Sequence, residues 1–323
     1  MNVKLSNVLL AGAVLITAAA FTPDGGKKGP IGPPAKFIDP ANMDLSIKPG
    51  DDFFDYANGT WIKDNAIPAK ETRWGSFNIL HQENVDKLQG LLSEVSKMSG
   101  QPKGSLKQRV GDLYASGMDS LAIEKKGYDP IKPDLARISK ISDLNGVIDE
   151  MIYERVSGDA SPLFGAGVGA DSKHPMRNIV SLRQGGTSLP DRDYYLKDNA
   201  RNNKIRDAYK KYIVTLFTLT GTNAGEADKD AATILSIETA LAKAQLSRVE
   251  MRDPNKTYNK FSVADLNKTT PHLNWAQLLP MMKMNGVDTV IVGQPGFFKV
   301  ADDMLASTPV ADWKVYLQWN MLK

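Results

Sequence analysis

The sequence predicts a mainly α-helical protein with one small β-sheet. Apolar residues recur at three- and four-residue spacing along most of the chain, extended patterning is confined to two places, and no period of about 20 to 50 residues repeats to indicate a solenoid. At 42% hydrophobic and 24% charged, the composition is that of a folded globular protein, since disordered chains are poorer in apolar residues and membrane chains richer. The 40 basic against 37 acidic side chains leave a formal charge of +3, too small an excess to argue for a nucleic-acid partner. The absence of cysteine excludes disulfide scaffolds, thiol nucleophiles, cysteine-ligated zinc and iron–sulfur clusters together.

Residues 1–20 read as an export signal. Lys4 precedes an apolar stretch from Val8 to Phe21, and Ala18-Ala19-Ala20 offers the small residues a signal peptidase needs. The stretch is shorter than the roughly 20 residues that span a hydrocarbon core, and Thr22-Pro23-Asp24-Gly25-Gly26 breaks a helix, so cleavage near Ala20 is favoured over a retained anchor. The expected location is exported, periplasmic or extracellular. Residues 21–37 form a Gly/Pro/Lys linker that cannot bury enough apolar surface to fold, and the folded domain is expected over 38–323 with no further membrane span.

Within that domain, Leu80, Leu88, Leu91, Leu92 and Val95 predict a helix from Ser76 to about Met98 with its apolar stripe on a core, stopped by Ser99-Gly100-Gln101-Pro102. Ser105 with Gln108 is a capping box opening a second helix that should turn Leu106, Val110, Leu113 and Tyr114 inward, against a helix around Leu144 to Val156. Further helices are expected at about Ile205–Leu219, ended by Gly221, and about Glu226–Leu246, then near Ser262–Leu266, Trp275–Met284 and Phe297–Leu305. Phe164–Ala170 and Asn178–Gln184 flank the polar turn Asp171-Ser172-Lys173-His174-Pro175 and predict a β-hairpin, and Asp288–Val292 predicts a lone strand. Thr308 as N-cap and Pro309 at the first helical position open a final helix whose face of Trp313, Leu317, Asn320 and Met321 runs to Lys323 without a stop signal. That helix reads as interrupted, although a natural C-terminal helix also ends without a cap.

The motifs that carry chemistry are absent. A His-Glu-x-x-His zinc helix needs two imidazoles one turn apart, and His81, His174 and His272 lie on a helix flank, in the hairpin turn and in a loop. Gly165-Ala166-Gly167-Val168-Gly169-Ala170 fits a dinucleotide fingerprint by letters, but a turn rather than a helix follows, so a bent or closely packed strand is the better reading. Asp51-Asp52 and Asp191-Arg192-Asp193 lack calcium-loop spacing and are expected to cap backbone groups.

Three blocks in order carry a resemblance. Asp51-Asp52-Phe53-Phe54-Asp55-Tyr56-Ala57-Asn58-Gly59-Thr60-Trp61, with Ile67-Pro68 and Arg73-Trp74-Gly75-Ser76-Phe77, resembles the opening signature of the neprilysin family of zinc metallopeptidases. Gly185-Gly186-Thr187-Ser188-Leu189-Pro190-Asp191-Arg192-Asp193-Tyr194-Tyr195-Leu196 is similar to that family's Gly-x-x-Leu-Pro-x-Arg-Asp-Tyr-Tyr motif, and Glu238 through Arg252-Asp253-Pro254 to Tyr258-Asn259-Lys260 resembles its Arg-Asp-Pro-x-x-x-Tyr-Asn segment.

The resemblance implies a helical lid-type domain that encloses an oligopeptide substrate, ending before the thermolysin-like catalytic lobe that completes the enzyme. Zinc is the cofactor of the complete family enzyme, and its ligands are not among these residues, so the chain alone is expected to be inactive. A non-catalytic peptide-binding or interaction module derived from the family is the alternative. One site residue carries over: Arg73, at the family position that grips the free carboxylate of a short peptide, where a planar guanidinium makes two parallel hydrogen bonds. The competing role for Arg73 is an ordinary ion pair or helix cap. Tyr194 and Tyr195 are assigned to packing, and Arg192 and Asp193 to loop hydrogen bonds.

Overall fold

A computed structural model describes residues 38–158 and 161–323, so the expected signal at 1–20 and linker at 21–37 lie outside the described residues. The described residues divide into two compact units, one ending at Met118 and one beginning at Asp119.

In the first unit, α1 (Phe53–Asp64) is opened by Asp52, whose carboxylate accepts the Asp55 N–H at 2.9 Å. The segment before it is tied to α1 by Asp44, which accepts from Ser46 N–H at 3.0 Å and from Lys63 Nζ at 2.6 Å. The hydrogen bond from Lys63 is the main cause that pulls the Asp44 carboxyl down to about 2. Gly59 permits this approach, because a Cβ there would stand 2.7 Å from Asp44 Cβ. α2 (Ser76–Ser96) and α3 (Leu106–Met118) pack on each other at Gly111, where a Cβ would lie 2.9 Å from the Val95 carbonyl oxygen.

Within this unit α3 packs on α2, and Leu106 and Leu113 each stand 75% exposed instead of inward. No residue of α2 is buried, so its apolar stripe lies on no core among the described residues. The reason is local: the close approach at Gly111 sets the contact, and it turns the leucines of α3 outward. The capping box also differs, since Ser105 Oγ accepts the Gln108 N–H at 3.3 Å while the Gln108 side chain takes the Gly104 N–H at 2.8 Å.

The second unit begins with α4 (Ser120–Lys126), α5 (Lys132–Ser139) and α6 (Leu144–Ser157), the last opened by Asp143 and closed by Gly158 at φ 90°. The hairpin follows as β1 (Phe164–Asp171) and β2 (His174–Gln184), paired antiparallel with Phe164 opposite Gln184. α7 (Asp193–Leu196), α8 (Ala200–Leu219) and α9 (Ala224–Ala244) come next, then α10 (Pro254–Thr257), β3 (Asn259–Ser262), α11 (Val263–Thr269) and α12 (Trp275–Met281). β4 (Thr289–Val292), α13 (Pro295–Ser307) and α14 (Val310–Leu322) complete it.

The sheet order is β1-β2-β4-β3, with β4 parallel to β2 and antiparallel to β3. β4 is therefore not a lone strand. Its run of β-branched residues is buried on pairing with both neighbours, and the short β3 was hidden by its polar letters Asn-Lys-Phe-Ser. Phe164, Val180, Leu182, Val290 and Val292 send one face of the sheet into a core with Trp275, Phe298 and Leu317. A smaller core holds Tyr209, Ile213, Phe217 and Ile234 against Trp319. α14 joins the two, burying Trp313, Tyr316 and Leu317 in the first and Trp319 in the second, so it is a central helix rather than a one-faced one.

Smaller differences have equally local causes. α8 starts five residues before Ile205, because Asn199 caps a polar turn that apolar periodicity does not register. α12 ends at Met281, short of Met284, where Lys283 turns the chain at φ 64°. Pro309 is the N-cap of α14 and Thr308 closes α13, one position later than the sequence suggested. His174 opens β2 instead of lying in the turn.

Candidate functional site

Arg73 lies between α1 and α2, two residues before Gly75, which opens α2 without a side-chain cap. It is exposed, and among the described residues it has no ion pair or hydrogen bond. Trp74 is half-buried and Phe77 is 89% exposed, so an unpaired guanidinium stands beside an uncapped helix N-terminus and an open aromatic ring. A planar fork of donors at the positive end of a helix suits a carboxylate.

The second motif block is a structural hub built on Glu238, which sits on α9 with no exposure. Its Oε2 accepts from the hydroxyls of Tyr195 and Tyr209 at 2.8 Å each, and its Oε1 accepts from Ser188 Oγ at 2.6 Å. The Tyr195 oxygen already accepts the N–H groups of Ser188 and Leu189 at 3.0 and 2.8 Å, so its one proton is left for Glu238. Ser188 Oγ likewise accepts from Trp319 Nε1 and Lys323 Nζ at 3.1 Å each, leaving its proton for Oε1. Three hydroxyl protons converging on one carboxyl group match the acceptor capacity of a carboxylate. Burial pushes Glu238 above the ordinary Glu value while the three hydroxyls and Lys323 oppose it, and burial beside that charge pushes both phenols up.

The same loop is pinned on its other side. Gln245 Nε2 donates to Gly185 O at 2.9 Å, Tyr316 OH donates to Gly186 O at 2.7 Å, and the Arg192 guanidinium donates to Gln245 O. Asp191 caps the Asp193 N–H at 2.8 Å and pairs with Arg248 at 2.9 Å, as its capping role in the sequence suggested. Tyr195 packs as expected, and the Gly165–Ala170 glycines lie in β1 with no helix after them. Glu238 opens the third motif block but the sequence assigns it no role, though a signal exists: its acid falls on the buried stripe of α9 with Ile234, Leu241 and Ala242.

The donor set does not fit zinc. Among the described residues no group of three His, Asp or Glu side chains is placed to hold a metal ion. His81 is exposed on α2, His174 begins β2, and His272 precedes α12 with its Nδ1 2.9 Å from Asp302 Oδ2. Asp302, buried on α13, also takes the N–H groups of His272 and Leu273 at 2.9 Å each, so it fastens a loop. Nor is any described helix long and apolar enough to cross a membrane.

Comparison with known proteins agrees with this frame. The family model described as Peptidase family M13 matches residues 49–323. Endothelin-converting enzyme-like 1 of Rattus norvegicus is 28% identical over 304 residues, covering 89% of this chain and 38% of that protein. Endothelin-converting enzyme 1 of Homo sapiens is 27% identical over 293 residues, covering 88% and 37%. The inhibitor-bound crystal structure of the zinc metalloprotease ZMP1 of Mycobacterium tuberculosis superposes with a TM-score of 0.81 at 29% identity, over 88% of this chain and 43% of that one. The chain thus spans about two fifths of the length of these relatives. With its motif blocks, fold and length of match together, the chain belongs to peptidase family M13, the neprilysin-like family, and corresponds to that family's N-terminal region.

Proposed function

We propose that these residues are the N-terminal part of an exported M13 zinc metalloendopeptidase that hydrolyses oligopeptides, and that they supply the lid over the substrate rather than the hydrolytic centre. The supporting observation is the pairing of a family match over 49–323 with a donor set that gathers no metal site among the described residues. Zinc, with the residues that hold it, belongs to the family length that this chain does not span.

Arg73 is the substrate-binding residue in this reading, taking the free C-terminal carboxylate of a short peptide. Its lack of a protein partner and its place beside the uncapped start of α2 support the role. Calorimetry of this chain with a short peptide and its C-terminal amide tests it. The free acid is expected to bind at least about tenfold more tightly than the amide, a difference of about 1.4 kcal/mol that Arg73→Met removes. Equal affinities for acid and amide would take Arg73 out of substrate binding.

A further inference from the structure

The outer edge of β1 is an unguarded strand. In an antiparallel pair, alternate residues turn their N–H and C=O groups toward the partner and the others turn theirs away. Arg155 donates to Phe164 O at 3.2 Å and to Ala166 O, so the even-numbered residues of β1 are those that face away from β2. The arginine stands in for a neighbouring strand over these two residues and goes no further. Beyond it, residues 167–170 are exposed, and Val168 is 61% exposed. They include no proline and no charge, and the ladder stays regular until the irregularity at Ala170/Asp171. Natural edges usually carry such guards.

One of the two clefts that Val168 lines is cationic, whereas the other also holds Asp171 and Asp288. The cationic one, a cleft of about 450 Å³ beside the edge, is lined by Arg155, Ser161, Ala166, Val168, Ser181 and Arg183 among others, and by no carboxylate among the described residues. Among the described residues neither arginine has a carboxylate partner, and burial lowers Arg155 from the ordinary Arg value, the mark of a cation held without counter-charge. Arg183 pairs in register with Gly165 and lines the same cleft as Arg155.

We propose that the outer edge of β1 binds an extended peptide bearing an acidic side chain, which adds to the sheet through the Val168 backbone and places its carboxylate in the cleft lined by Arg155 and Arg183. Main-chain hydrogen bonds supply the attachment and the two cations the selectivity, the division of labour of strand addition. The proposal does not depend on the role proposed for Arg73.

Fluorescence anisotropy with dye-labelled pentapeptides tests it on the whole chain. The probes are a capped peptide of Val and Thr with one Glu, its Gln counterpart, and the Glu peptide N-methylated at the amides that would join the ladder. Capped ends remove the terminal carboxylate that Arg73 is proposed to grip, and the Arg73→Met control covers the Glu side chain. The Glu peptide is expected to bind saturably, the Gln peptide about fivefold more weakly, and the N-methylated one not at all. Arg183→Gln should erase the Glu preference, and Arg73→Met should leave binding unchanged. Absence of saturable binding by the Glu peptide, equal binding of Glu and Gln peptides, or retained binding after N-methylation would overturn the proposal. The N-methylated probe needs no protein variant, so misfolding cannot mimic its result.

Discussion

Replacing Glu238 by Gln exchanges one of two acceptor oxygens for a two-proton donor inside a site where every neighbour is already a donor. If the amide oxygen keeps the two tyrosines, its nitrogen faces Ser188 Oγ, whose acceptor positions are taken by Trp319 and Lys323. That orientation loses one charge-assisted hydrogen bond of about 1.5–3 kcal/mol. The opposite orientation sets the amide nitrogen against Tyr195, whose oxygen already accepts two N–H groups, and so loses that bond instead. Removing a buried charge returns part of the loss, so the net destabilisation is expected at about 2–3 kcal/mol. For a unit of this size that corresponds to a fall in Tm of roughly 4–12 °C. Urea unfolding read by tryptophan fluorescence measures it, with Trp319 reporting on the hub itself. Tyr195→Phe strands the N–H groups of Ser188 and Leu189 and should cost about 1–3 kcal/mol alone, but less than that on top of Glu238→Gln. A Glu238→Gln variant within about 0.5 kcal/mol of the parent, or strictly additive losses, would refute the hub.

Other expectations follow from single positions. Gly186 has φ 77°, and a Cβ there would meet Leu241 Cδ1 at 2.7 Å and the Tyr316 hydroxyl at 3.0 Å, so Gly186→Ala should cost about 2–4 kcal/mol in denaturant unfolding. Gly286 has φ 69° and open space around it, so Gly286→Ala should cost only about 1 kcal/mol, and equal losses would remove the steric part of the explanation. Asp44, lowered to about 2 from an ordinary 3.8, supports the first unit fully above pH 3.8 and loses that support as pH falls toward 2. Amide exchange in α1 should therefore accelerate through that window, and Asp44→Asn should flatten the response.

Much of the second unit was legible because its signals are local and agree with one another. The hairpin announced itself by two extended runs around a polar turn, and α9 and α13 by apolar stripes whose buried members are those the spacing selects. What escaped depends on partners distant in sequence. β4 could be placed beside β2 only once Val180 and Val290 were known to be opposite, and β3 had no pattern of its own. The outward leucines of α3 follow from a backbone contact at Gly111 that periodicity cannot express.

The site divides in the same way. Arg73 was found through its motif, and its environment leaves the guanidinium open for a ligand. Glu238 and Asp302 carry no role that a motif assigns, although each sits on a buried helix face with Ile234 and Leu241, or Phe298 and Leu305, as neighbours on the stripe. A carboxylate on such a face must find donors, and here it finds them in loops 50 and 30 residues away.

Among the described residues no hydrolytic metal centre is assembled, although the chain belongs to a metallopeptidase family. Zinc titration of the purified chain by calorimetry, with turnover of a fluorogenic oligopeptide followed before and after chelation, tests it directly. The expected result is no stoichiometric high-affinity uptake and no chelator-sensitive cleavage. Tight binding of one zinc per chain accompanied by turnover that a chelator abolishes would contradict it.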